Sequence, residues 1–244
     1  MFHIVIPARY GSTRLPGKAL LPIADKPMLA WVWERAQLAA AESVWIATDD
    51  ERIRAQMTEY GAQVMMTRAD HASGTDRLAE VAVLAGFSED EVVVNLQGDE
   101  PLMPAANIRR VAAMLAENRQ ADMATLMEPL ADSDQNNPSV VKVVASDTGR
   151  ALYFSRAAIP FNRGGGSPLP MWRHIGLYAY RVGFLQRFVS WPPAALEQSE
   201  SLEQLRALAH DCHIQIEPAC EPVPPGVDTP EDLEHIRQLV SDGS

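Results

Sequence analysis

Cysteine is nearly absent from this chain: Cys212 and Cys220 are its only two, both in one late segment. That excludes a disulfide-built scaffold. The stretch "HDCHIQIEPAC" adds His210 and His213 but not the pair of ligand pairs that a structural zinc site uses, so two free thiols in a reducing compartment are expected. Long apolar runs are missing too. No window approaches the roughly 18 uninterrupted apolar residues of a membrane span, and no basic segment followed by an apolar stretch opens the chain. The expectation is a soluble, cytoplasmic protein. Positive charge is scarce as well: 21 Lys and Arg face 32 Asp and Glu, a net charge of −11. Such a surface repels a phosphate backbone, which argues against nucleic-acid binding and leaves only a small anion, captured locally.

What is present suits one globular domain: 244 residues, of which 47% are hydrophobic, enough to bury a sizeable core. Strand-like and helix-period runs alternate in the first half. "FHIVIPA", "SVWIATD", "AQVMM" and "EVVVNLQ" read as strands. Between them "PMLAWVWERAQLAAA", "DERIRAQMTEYG" and "TDRLAEVAVLAG" read as helices, the last two stopped at Gly61 and Gly86. This order predicts an α/β fold, a mostly parallel sheet with right-handed crossovers and helices on both faces. After Ala121 come strand-like pieces, "MATLMEPL", "SVVKVVAS", "ALYFS" and "RHIGLYAYR", which either extend the sheet or build a smaller lobe over about residues 121–181. Helices "LEQLRALAH" and "PEDLEHIRQLV" follow, the second with Thr229 as N-cap and Pro230 in its first turn. "NRGGGSPLP", Asn162 to Pro170, reads as a mobile surface loop.

The most informative stretch is "IPARYGSTRLPGKAL", leaving the carboxyl end of the first strand, where open α/β sheets bind ligands. Gly11 and Gly17 permit close approach of the backbone to an anion, while Arg9, Arg14 and Lys18 supply positive charge. The order is neither a P-loop nor a dinucleotide fingerprint. The plain alternative is a solvated turn. "NLQGDEP" sets Gln97 and Asp99 at the end of a buried strand, and "GVDTPEDL" sets Asp228 before the final helix. Either aspartate could serve a turn or a helix N-terminus, and either could serve Mg²⁺, which takes one or two carboxylates plus substrate oxygens. Ser73, Gly74 and Arg77 in "HASGTDRLAE" lead into a helix whose free N–H groups could read a pyrimidine edge; the bland alternative is a Thr75 N-cap with a solvated Arg77.

"IPARYGSTRLPGK" closely resembles the N-terminal motif of sugar-activating cytidylyltransferases. "VNLQGDEP", "YFSRAAIP", "RHIGLYAYR", "LEQLR" and "GVDTPEDL" resemble, in the same order, motifs of the 3-deoxy-D-manno-octulosonate (KDO) cytidylyltransferases, or CMP-KDO synthetases. The resemblance runs from Ile4 to Leu239; the stretch "NRGGGSPLPMW" looks shorter than is usual there. It implies a Rossmann-like, three-layer nucleotidyltransferase that couples CTP to KDO, releasing pyrophosphate, for lipopolysaccharide biosynthesis. It further implies Asp99 and Asp228 as Mg²⁺ ligands, with Arg9, Arg14 and Lys18 completing the catalytic set. Nucleotide contacts would come from Ala8, Arg9, Gly11, Arg14, Lys18, Ser73, Gly74, Arg77, Gln97 and Asp99. Sugar-acid contacts would come from Gln97, Arg156, His174, Tyr178, Glu203 and Gln204. His174 and Tyr178, four apart in a strand, should share a face. The family is dimeric, so a homodimer built through the second half is expected. The competing readings are a cytidylyltransferase for an amino-substituted octulosonate or an N-acylneuraminate, and a noncatalytic nucleotide-binding module.

Overall fold

A computed structural model describes residues 1–11, 15–163 and 170–242. Arg14 and the centre of the glycine-rich loop lie outside the described residues. In chain order the elements are β1 (Phe2–Ala8), β2 (Pro22–Ile23), β3 (Lys26–Pro27), α1 (Met28–Gln37), β4 (Ser43–Thr48), α2 (Glu51–Glu59) and β5 (Gln63–Met66). Next come α3 (Gly74–Leu84), β6 (Val92–Asn95), α4 (Ala105–Glu117), β7 (Met123–Pro129), β8 (Lys142–Ala145), β9 (Ala151–Ser155) and β10 (Trp172–Arg181). The chain closes with α5 (Val182–Ser190), α6 (Ala195–Glu200), α7 (Gln204–Ala209), β11 (Ile214–Pro218) and α8 (Pro230–Asp242).

The main sheet runs β11-β7-β10-β6-β1-β4-β5. β6, β1, β4 and β5 are parallel, as the alternating first half predicts, and β11 runs parallel to β7. β10 is the exception, antiparallel to both β6 and β7. Thus β7 and β10 join the main sheet, while β8 pairs with the Trp172 end of β10 and carries β9 outward. α4, α5, α6, β11 and the small β2–β3 hairpin were not foreseen from the sequence.

The sheet has two apolar faces, so its buried strands read as continuous hydrophobic runs; Val92, Val93 and Val94 of β6 are at most 6% exposed. One face, with Ile4, Ile6, Ile46 and Val94, packs under α1, α2 and α4. The other, with Val5, Val93 and Tyr180, packs under α3, α5 and α7. A third small cluster seats Leu233 and Ile236 of α8 against Ile23 and Met28. The helix ends follow local chemistry. Asp50 caps α2 by accepting from Arg52 N at 2.9 Å, and Gly61 and Gly86, at φ 83° and 72°, take the left-handed turn just past α2 and α3. Thr229 caps α8, its Oγ1 accepting from Asp232 N while the Asp232 carboxylate accepts from Thr229 N, a reciprocal capping box.

Candidate active site

The carboxyl ends of β1 and β6 open into a cavity of about 340 Å³ lined by Ala8, Arg9, Gly11, Lys18, Gly74, Gln97, Asp99 and Asp228, with Pro7, Ala19 and Gly98. Gly98 is there for a steric reason. A Cβ on it would sit 2.9 Å from the Pro7 carbonyl oxygen, so a side chain would force β6 away from β1. Gly17 takes the left-handed conformation at φ 67°: its N–H donates to the Tyr10 carbonyl at 3.1 Å, and a Cβ there would stand 3.3 Å from the Tyr10 ring.

Lys18 stands at the centre of the polar contacts. Its Nζ donates to Asp99 Oδ2 at 2.7 Å and to Asp228 Oδ1 at 3.1 Å. Burial works against the ammonium, but the two carboxylates outweigh it and hold the lysine above its ordinary range. The carboxylates reach this point from separate supports: Asp99 from the turn after β6, Asp228 from the segment before α8. The Val227 N–H, donating to the Asp99 carbonyl at 2.8 Å, ties the two segments together. A point held by two carboxylates and filled by an ammonium is a place for a cation. Among the described residues no three His, Cys, Asp or Glu side chains gather into an all-protein metal cage. That donor set fits Mg²⁺, which binds through one or two carboxylates and completes its shell with substrate oxygens and water.

Glu100, next to Asp99, escaped the sequence reading. It packs against Gly226, its Oε2 has no hydrogen-bond partner among the described residues, and burial aided by the Asp99 charge pushes its carboxyl up to about 8. Nothing in the sequence separates it from an ordinary turn glutamate.

The segment expected to face the base is anchored more firmly than its composition suggests. Ser73, not Thr75, caps α3: its Oγ accepts from Asp76 N at 3.2 Å, and the Asp76 carboxylate accepts from Ser73 N at 2.8 Å. The serine is therefore engaged rather than free. Arg77 is not solvated either; it is 1% exposed, donating to Thr67 Oγ1 at 2.5 Å and lying 3.3 Å from Asp49. Of this segment Gly74 alone is on the cavity wall.

A second group of the expected residues lies along β10 and α7. His174 and Tyr178 share the face of β10 that also carries Tyr180, with ring centroids 5.3 Å apart. The alternation survives a bulge after Ile175, whose carbonyl, with that of Leu177, accepts from the buried Thr125 hydroxyl. His174 is no surface residue. Its ring meets Phe154 edge-on, its Nε2 is 3.0 Å from Thr125 Oγ1, and burial lowers its pKa to about 3, so the imidazole is neutral. Burial likewise raises the Tyr178 phenol well above its usual range. Arg156 is pinned by main-chain carbonyls, donating to Glu200 O at 2.7 Å and Pro138 O at 2.8 Å. Gln204, in the first turn of α7, is 7% exposed. Glu203 accepts from Thr75 Oγ1 at 2.5 Å.

With a cationic glycine-bearing loop and paired carboxylates meeting at the carboxyl ends of parallel strands, the chain takes its place among the nucleotide-binding α/β proteins. A family model described as cytidylyltransferase matches residues 3–214, and the chain belongs to that family. It is 54% identical to a 3-deoxy-manno-octulosonate cytidylyltransferase of Pseudomonas fluorescens (strain Pf-5), over 98% of each chain. It is 53% identical to the enzyme of that name from Cellvibrio japonicus, over 99% of each. Among solved structures, a CMP:2-keto-3-deoxy-manno-octonic acid synthetase complexed with CTP superposes with a TM-score of 0.93 at 42% identity, covering both chains entirely.

Proposed function

We propose that the chain transfers the cytidylyl group of CTP to 3-deoxy-D-manno-octulosonate, releasing pyrophosphate, and so activates this sugar acid for lipopolysaccharide assembly in the cytoplasm. What carries the substrate assignment is identity above 50% along essentially the whole chain to enzymes of that one activity. The chemistry rests on the cavity. In the reaction the anomeric hydroxyl oxygen forms a new bond to the α-phosphorus, the bond from that phosphorus to the oxygen it shares with the β-phosphorus breaks, that oxygen leaves with the pyrophosphate, and the hydroxyl proton passes to solvent water. Such a transfer depends on positioning and charge neutralisation more than on covalent chemistry by the protein.

Arg9 and Lys18, with Arg14, neutralise the triphosphate, and the backbone between Ala8 and Gly11 approaches its oxygens. Ser73, Gly74 and Arg77 shape the base site through the first turn of α3. Gln97 stands between the substrates. Asp99 and Asp228 would hold Mg²⁺, which when bound supplies positive charge to the reacting phosphate and lowers the pKa of an oxygen it touches. Arg156, His174, Tyr178, Glu203 and Gln204 receive the sugar acid. Because His174 is neutral, it offers a hydrogen bond rather than a charge, and the substrate carboxylate falls to an arginine. Two such chains pair through the strand-rich second half, about residues 121–181. The test is pyrophosphate release with CTP, Mg²⁺ and in turn the octulosonate, its amino-substituted analogue and an N-acylneuraminate. Turnover confined to the octulosonate is expected; equal or better use of either other acid overturns the assignment.

A further inference from the structure

Between β11 and α8 the chain runs from Ala219 to Thr229 with neither helix nor strand, and its centre, "CEPVPPGV", carries Pro222, Pro224 and Pro225. A proline has no N–H and a fixed φ, so this strap can neither join a sheet nor curl freely. Connections of this kind ordinarily run through solvent. This one is held down along its length. Asn107, in the first turn of α4 and 0% exposed, accepts at Oδ1 from Cys220 N at 2.8 Å and Glu221 N at 3.1 Å, while its Nδ2 donates to Glu221 O at 2.8 Å. Two residues on, an ion pair takes over. Arg173 of β10 and Glu128 of β7 are cross-strand partners joined in a salt bridge. Glu128 Oε2 accepts from Val223 N at 3.2 Å, and Arg173 Nη2 donates to Val223 O at 2.8 Å, so the pair grips both polar groups of one residue. Val227 N then donates to Asp99 O at 2.8 Å, and a Cβ on Gly226 would stand 3.4 Å from that same oxygen.

Burying an asparagine amide and setting an ion pair on the main chain cost desolvation that apolar side chains would avoid. Joining β11 to α8 does not require it, because α8 has its own apolar anchorage in Leu233 and Ile236 against Ile23 and Met28. What the strap delivers is Asp228, the residue after Val227. The Asp228 side chain is 51% exposed, so little packing fixes it directly. Its place beside Lys18 and Asp99 is set by the main chain that carries it.

We propose that Asn107 and the Glu128–Arg173 pair are positioning residues that fix the Cys220–Val227 strap and so aim the Asp228 carboxylate at the cation position it shares with Asp99. They act through Asp228 and not on substrate. The inference rests on the reading of Asp228 as a metal ligand, and its test keeps the two apart.

Arg173→Met, Arg173→Lys, Asn107→Ala and Asp228→Asn would be compared in two readouts: amide hydrogen exchange at Val227, and the Mg²⁺ concentration that half-activates pyrophosphate release. Loss of a group that orients a metal ligand costs about tenfold or more in metal affinity. Arg173→Met and Asn107→Ala should therefore raise the half-activating concentration by about that factor and speed exchange at Val227. Arg173→Lys, which can still bridge Glu128 and the Val223 carbonyl, should recover most of the loss. The KM for the octulosonate should stay near that of the parent, since Arg173 lies on the face of β10 opposite His174. If Asp228→Asn raises the Mg²⁺ requirement while Arg173→Met and Asn107→Ala leave it at the parental value, whatever their Tm, the strap is plain structural support; the proposal is overturned and the metal reading stands. If Asp228→Asn itself leaves the requirement unchanged, that reading fails and the proposal falls with it. A raised requirement with unchanged exchange at Val227 would also overturn the proposal, because the strap would not have moved. Arg173 is 30% exposed, so its variants decide the matter should Asn107→Ala not fold.

Discussion

Lys18 and Asp228 stand 210 positions apart in the chain and 3.1 Å apart in space. The loop after the first strand and the turn before the last helix therefore meet at one ammonium, which Asp99 also binds from the middle of the sheet. Removing any of the three changes the charge at the place where the phosphates of CTP are proposed to react.

Asp99→Asn and Asp228→Asn should each lower turnover at least about a hundredfold, the scale of losing one well-placed electrostatic group in a transition state. The fold should survive. Asp99 is 33% and Asp228 51% exposed, and ion pairs this open contribute at most about 1 kcal/mol. Mg²⁺-dependent turnover near that of the parent in either variant would remove that residue from the metal site.

Lys18→Ala should weaken CTP binding by about tenfold or more, the worth of a charge-assisted hydrogen bond. His174→Ala should leave CTP binding almost untouched and raise the KM for the sugar acid. Calorimetric titration with CTP separates them; the opposite pattern would exchange the two ends of the site.

Base selection by hydrogen bonds penalises a partner that leaves buried groups unpaired, so CTP should be used at least about a hundredfold better than ATP or GTP. Comparable pyrophosphate release from a purine triphosphate would dismiss the proposed role of the first turn of α3.

His174 also predicts a pH dependence of stability. Its folded pKa is about 3, and the unfolded chain binds the proton near 6.5, so its contribution is fully present above the unfolded value. Stability is lost as pH falls from there toward 3, at up to about 1.4 kcal/mol per pH unit. In His174→Gln the fall of Tm across that window should be shallower; an unchanged slope would show that another group governs it.

The proposed dimer predicts a sedimenting species of about twice the 26.8 kDa of the chain at micromolar concentration. A monomer alone would move the proposed use of the strand-rich half elsewhere.

How much was legible follows from how local each signal is. The parallel half of the sheet could be read directly, because each strand and helix there carries its own period and its own stop, as at Gly61 and Gly86. That Arg9, Gly11 and Lys18 share one cavity wall could be read because glycines and cations are contiguous in "PARYGSTRLPGK". β11 and the insertion of β10 between β6 and β7 could not, since strand order is decided by long-range packing rather than by local pattern. Ser73 and Thr75 offer equal cap chemistry within one short stretch, and it is long-range packing that leaves Ser73 as the cap while Thr75 turns inward to Glu203, 128 positions away. Glu100 was hidden beside a more conspicuous aspartate.

That Asp228 enters from just ahead of the last helix bears on how the protein is made. During synthesis the sheet through β10 can pair and the cradle can take shape while the C-terminal segment is still being added. A chain halted there would hold Lys18 and Asp99 but only one of the two carboxylates. If Asp228 serves the metal as proposed, ribosomes stalled ahead of it would carry a largely built sheet with little competence to consume CTP, and full activity would begin only as the final segment docks.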